Sequence, residues 1–122
     1  MSVDSECALV DNEADLDKAL KDKDKVIAFV YASWCPFCKK ILPVFQELAQ
    51  DRRRNFLLVE DDNESIAEKY VIDVFPTVLF FHAGKVALRL DGKPGVGLNE
   101  KQIKDFIKSC PQPEAGNGDV SV

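Results

Sequence analysis

The chain lacks the ingredients of several common protein classes. Histidine occurs once in 122 residues, and only four cysteines are present. A structural zinc site needs four ligands. Beside the pair Cys35 and Cys38 only Cys7, Cys110 and His82 remain, and none of them forms a second close pair. Four cysteines in a chain of this size also do not make a disulfide scaffold. Basic excess is missing: 16 Lys and Arg stand against 21 Asp and Glu, a net charge of -5. That balance disfavours nonspecific binding to nucleic acid or to an anionic membrane. No apolar run approaches a membrane span. The acidic start, Met1-Ser2-Val3-Asp4-Ser5-Glu6, lacks the basic and apolar regions of a secretory signal. The chain is therefore read as cytoplasmic, with no nucleic-acid or membrane partner. No internal repeat is present.

The most informative segment is Ser33-Trp34-Cys35-Pro36-Phe37-Cys38-Lys39-Lys40. An apolar β-like run precedes it and a helix-like run follows. Cys35 is thus expected at a helix N-terminus, where unpaired N–H groups and the positive end of the helix dipole favour a thiolate. Thiolate is the attacking species in disulfide exchange. Cys38, one turn on, can reach back and release a mixed disulfide. A structural bridge across so short a loop would constrain the unfolded chain little, and in a reducing compartment a close cysteine pair is more often catalytic than structural.

Along the chain, Cys7 to Val10 is a short apolar run suited to an edge strand, with Cys7 as a small buried hydrophobe. Asn12 and its neighbours offer N-cap chemistry to a helix carrying Leu16 and Leu20. Lys21-Asp22-Lys23-Asp24-Lys25 reads as a solvated turn. Val26 to Tyr31 is apolar throughout and reads as a central strand buried on both faces. A helix from about Cys35 to Asp51 presents Ile41, Leu42, Phe45, Leu48 and Ala49, with Pro43 inside it. Arg52-Arg53-Arg54 then places favourable charge at its C-terminus. A strand at 55–60, a turn and a short helix capped by Asn63 follow. Thr77 to His82 and Lys85 to Leu90 form a β-hairpin around Ala83-Gly84. A glycine-rich loop leads to a last helix, capped by Asn99, that buries Ile103, Phe106 and Ile107. Cys110 ends this helix and is expected to be exposed. The order is β-α-β-α-β-α-β-β-α. Strands joined by helices are expected to run parallel, which with the hairpin makes the sheet mixed.

This order and three motifs resemble the thioredoxin family. The motifs are Trp34-Cys35-Pro36-Phe37-Cys38-Lys39, Pro43 five residues after the second cysteine, and Phe75-Pro76-Thr77. Gly84 and Gly92 fall where the family keeps glycines. The resemblance covers roughly Val10 to Ser109. It implies an α/β thioredoxin fold: a central mixed sheet of about five strands flanked by helices on both faces. The domain would span 1–110, with 111–122 as a disordered tail. The implied activity is reduction of protein disulfides, with Cys35 as exposed nucleophile and Cys38 as the more buried resolving thiol. Trp34, Pro36, Phe37, Phe75 and Pro76 would contact substrate, and the Phe75–Pro76 bond would be cis. No metal and no cofactor are expected beyond the Cys35–Cys38 disulfide. A thioredoxin-reductase-like or glutathione-linked reductant would recharge a monomer. The alternatives are a disulfide donor or isomerase, or a glutaredoxin-like reductase, either with a more oxidising potential. A non-catalytic binding module is a further alternative.

Two departures stand out. Between the cysteines the usual Gly-Pro is replaced by Pro36-Phe37. Proline suits a first helical position, because its missing N–H would be unpaired anyway. Six residues before Cys35, where the family keeps a buried acid, stands Phe29, and the acid's lysine partner falls near Leu57. The pair reads as replaced together by apolar residues, leaving water or a substrate group to take the proton of Cys38.

Overall fold

The computed structural model describes residues 8–112. The expectations for Cys7 and for a tail at 113–122 lie outside the described residues. Among the described residues no helix is long and apolar enough to cross a membrane.

Nine elements follow in the expected order: β1 (Ala8–Val10), α1 (Glu13–Asp22), β2 (Lys25–Tyr31), α2 (Pro36–Leu48), β3 (Phe56–Glu60), α3 (Ser65–Lys69), β4 (Thr77–His82), β5 (Lys85–Asp91) and α4 (Glu100–Ser109). They build one five-stranded sheet in the order β1-β3-β2-β4-β5. All seven residues of β2 are buried, because this strand has sheet neighbours on both edges and helices over both faces. Lys25 belongs to this strand and is buried, where the sequence suggested a solvated turn. Its ammonium meets the Asp24 carboxylate at 3.3 Å.

Strand alternation sorts β2 between two cores. Ile27, Phe29 and Tyr31 face one side, with Ile41 and Phe45 of α2 and Ile103 and Ile107 of α4. Val26, Ala28 and Val30 face the other, with Leu16 and Leu20 of α1 and Ile66 and Ala67 of α3. The same alternation corrects the pairing of Phe29 with Leu57. The strand register sets Phe29 beside Leu58, and Leu57 packs in the opposite core. Each site is filled separately by apolar packing.

One orientation differs from expectation. β1, β3 and β2 pair in parallel, whereas β4 runs antiparallel to β2. The connection from β3 to β4 carries only a five-residue helix. The remaining connection delivers Thr77 opposite Val30, so β4 starts at the end of the sheet where β3 finishes. The hairpin of β4 and β5 is antiparallel, with a register shift at Phe80/Phe81.

Asn12 and Asn99 cap α1 and α4 as expected, Asn99 in a reciprocal capping box with Gln102. Phe106 is only partly buried beside Ile103 and Ile107. α3 is held differently. Asn63 accepts a hydrogen bond from the Ser65 N–H, but the buried carboxylate of Asp61 accepts from the N–H groups of Ile66 and Ala67 at 3.0 and 2.7 Å. Asp61→Ala is expected to cost about 2–4 kcal/mol, because it strips charged acceptors from two buried donors. A urea midpoint unchanged from wild type would contradict that role.

The arginine run also departs from expectation. No basic residue lies in the last turn of α2. Arg53 pairs with Asp51 at 3.0 Å, and Arg54 donates to the Cys110 carbonyl at 2.6 Å, tying the segment before β3 to the end of α4. Cys110 is buried, not exposed. Its thiol faces the Phe106 carbonyl at 3.3 Å, and burial pushes it up to about 11. That closes it to adventitious disulfide formation in the folded state.

Candidate active site at the start of helix α2

β2 ends at Tyr31, and a short turn through Ala32, Ser33 and Trp34 delivers Cys35 to the N-cap of α2. Pro36 takes the first helical position. It sets the backbone for helix without wasting a donor. The Cys35 sulfur accepts the N–H of Cys38 at 3.3 Å, as a capping side chain does. Its thiol also reaches the Phe75 carbonyl, at 3.7 Å. Cys35 and Cys38 are both free thiols.

The two sulfurs differ in degree rather than kind. Cys35 is 5% exposed and Cys38 1%. The expected exposed nucleophile is therefore a recessed one, at the floor of a cleft of about 380 Å³ lined by Trp34, Phe37, Ile72, Phe75 and Pro94 among others. Neighbouring rings and the Phe75 backbone cover it, while the cleft leaves a path for an incoming disulfide. Burial raises the Cys38 thiol well above the ordinary thiol range, and its hydrogen bond with Cys35 adds to the shift. Cys38 thus rests as a protonated thiol.

The walls are apolar and partly open. Trp34 is 54% exposed and Phe37 38%. Trp34 therefore does not serve core packing. Its ring meets Phe75 edge-on at 5.8 Å, and its Nε1 donates to the Asp62 carbonyl at 3.1 Å. Asp62 also grips the turn itself, accepting from the Ser33 N–H and hydroxyl at 2.7 and 2.6 Å. Those bonds hold its carboxyl below the usual carboxylate range. The Phe75–Pro76 peptide is cis, and Thr77 follows as the first residue of β4. So the structure brings Trp34, Cys35, Pro36, Phe37 and Phe75 to one cleft. Pro76 lies buried behind it.

Two glycines make this packing fit. A Cβ on Gly92 would collide with the Pro76 carbonyl. Gly97, at φ +79°, would place one 2.9 Å from Phe37 Cβ. Sequence reasoning passed Gly97 as an ordinary loop residue, and its only local signal was the density of glycines after Asp91. Asp61 and Asp62 were likewise read as a turn. Their roles depend on where α3 and the Ser33 turn come to lie in space. A second cleft of about 430 Å³, among Ala8, Val26, Arg54 and Leu57, lies where the parallel strands begin, at the end of the sheet away from Cys35.

A recessed thiol on a helix N-cap, a second thiol one turn on and the Phe75 carbonyl beside them define a thiol–disulfide oxidoreductase. The comparisons with known proteins agree. The family profile described as Thioredoxin matches residues 7–109. A thioredoxin of Mycoplasmoides gallisepticum is 37% identical over 101 residues, covering 81% of this chain and 97% of that protein. Protein disulfide-isomerase A5 of Bos taurus is 33% identical over 110 residues, covering 85% of this chain but 20% of its own length. Among solved structures, the reduced Schistosoma mansoni thioredoxin pre-protein superposes with a TM-score of 0.74 at 28% identity, covering 87% of this chain and 99% of that one. The chain belongs to the thioredoxin family. Members of this family act on disulfides through a cysteine pair, without a cofactor, and are usually recharged by a reductase.

Proposed function

We propose that the protein reduces disulfides of other proteins, with Cys35 attacking and Cys38 resolving. The observation that carries this reading is the Cys35 sulfur at the N-cap of α2, bonded to the Cys38 N–H and recessed in an apolar cleft. A fixed N–H donor and the positive end of a helix face the Cys35 sulfur there, both before it attacks and when it is displaced by Cys38. Trp34, Pro36, Phe37 and Phe75 offer apolar contact to the substrate, and Pro76 backs the Phe75 carbonyl toward it. The compartment proposed is the reducing cytoplasm, and the reductant a thioredoxin-reductase-like or glutathione-linked enzyme. The protein then carries electron pairs from that reductant to disulfide-bearing proteins as a monomer.

The Pro36-Phe37 insert favours a second nuance. Groups that stabilise the Cys35 thiolate stabilise the reduced form, which makes the disulfide the stronger oxidant. The pair is expected to be more oxidising than a thioredoxin with Gly-Pro between its cysteines. Titration against defined glutathione ratios with thiol trapping measures this. A potential as low as that of such a thioredoxin would contradict the expectation and leave a plain disulfide reductase. A markedly higher value would favour disulfide donation or glutathione-coupled reduction.

A further inference from the structure

Cys38 must lose a proton before it can attack. Burial opposes that loss, and its neighbour on β2, Phe29, has no group to accept the proton. The same face of β2 carries two polar side chains, Lys25 at its start and Tyr31 at its end, and Tyr31 is the one at the Cys35 end of the strand. Tyr31 lies two residues beyond Phe29, within the buried cluster that holds Cys35 and Cys38, and is 5% exposed. Its ring stands 5.7 Å from that of Phe29. Its hydroxyl donates to Glu60 Oε1 at 3.3 Å. Glu60 is its register partner on β3, the last residue of that strand, and is only half-buried. The two residues therefore form a hydrogen-bonded pair that runs from the cluster holding Cys38 to the surface, and their bond to each other is the one hydrogen bond on this line among the described residues.

We propose that Tyr31 and Glu60 supply the proton acceptor for the resolving thiol, Glu60 acting through Tyr31. The proposal rests on the assignment of Cys38 as the resolving thiol. As the Cys38 sulfur attacks the Cys35–substrate disulfide, the Cys35–Cys38 bond forms and the bond from Cys35 to the substrate sulfur breaks. The electron pair leaves with the substrate thiolate. The Cys38 proton passes to the Tyr31 oxygen across one water admitted as the mixed disulfide forms, while the Tyr31 proton passes to Glu60. Glu60, open on one side to solvent, then returns a proton to the substrate thiolate or to water. Cys35 and Cys38 are reduced partners that become oxidised, and the substrate disulfide is the oxidant, so no further reagent is needed.

The electrostatics fit a relay in which Tyr31 never stands as a free phenolate. Burial, then the charge and hydrogen bond of Glu60, push its hydroxyl up to about 12, with Asp62 and Cys38 adding to the shift. The charged or titratable groups acting on the line are thus Glu60 from β3, Asp62 from the loop after it, and Cys35 and Cys38 from α2.

The test uses an aromatic disulfide that releases a coloured thiol. The first release reports attack by Cys35 and the second reports closure by Cys38. Wild type, Tyr31→Phe, Glu60→Gln and the double variant are compared from pH 6 to 9. The expected result is an unchanged first phase and a closure slowed about tenfold or more near neutral pH in each variant. The double variant should be no slower than the slower single, and the gap should narrow toward pH 9 as hydroxide takes over. Closure equal to wild type in Glu60→Gln across this range would overturn the relay. An equal slowing of both phases would mark a distorted cleft and also overturn it. A wild-type protein whose first phase is normal but which never closes would overturn the resolving role of Cys38, and the relay with it.

Discussion

Cys35→Ser should lose disulfide reduction by at least about a thousandfold, the scale on which removing a covalent nucleophile acts. The substitution removes one sulfur and little else. The hydroxyl can still cap α2 by accepting the Cys38 N–H, so the fold should survive within about 1 kcal/mol. Cys38→Ser should behave in the opposite way. Attack by Cys35 proceeds, but the mixed disulfide has no internal thiol to displace it. An external thiol at millimolar concentration must substitute for one held a helical turn away, and release should slow by about a thousandfold or more. Turnover with a protein disulfide, followed by nonreducing electrophoresis of trapped adducts, measures both. A Cys38→Ser protein that forms no adduct, with Cys35→Ser equally able to recover partners, would favour a binding module over an enzyme.

The contrast between these variants rests on features that sequence exposes unevenly. The cysteine spacing, the proline between them and the apolar run of β2 are local, so Cys35 at a helix start could be read directly. The caps at Asn12 and Asn99 are equally local. The depth of Cys35 could not be read, because its cover comes from Phe75, forty residues later in the chain. Cys110 was misjudged for the same reason. A helix end reads as surface until Arg54 and the α2 face close over it. The direction of β4 turned on where the chain after α3 re-enters the sheet, which its composition does not show. Asp61 and Asp62 read as a turn, since nothing in their neighbours shows that one caps α3 and the other fastens Ser33. Glu60 shows its meaning only through the strand register that sets it beside Tyr31.

That register bears on the most tempting repair of the site, Phe29→Asp, which would return an acid to the position below Cys38. The variant is expected to lose most of the protein's stability. Phe29 is wholly buried, stacked on Phe45 at 4.8 Å, with Tyr31 at 5.7 Å. Removing such a ring costs about 3–5 kcal/mol in cavity and transfer terms alone. The introduced carboxyl would then sit among apolar side chains, since the register gives it Leu58 as its neighbour on β3 and no cation. Burial without a partner raises a carboxyl's pKa in the folded state. A group raised on folding contributes its stability below its unfolded pKa of about 4 and loses it as pH climbs toward the folded value. The penalty relative to wild type should therefore be smallest near pH 4 and grow through neutral pH. Urea midpoints of both proteins between pH 4 and 8 measure it. A constant difference across that range would show that the carboxyl ionises freely and that position 29 reaches water. A growing one would show that a carboxyl at 29 is held away from water and stays protonated above the ordinary carboxylate range.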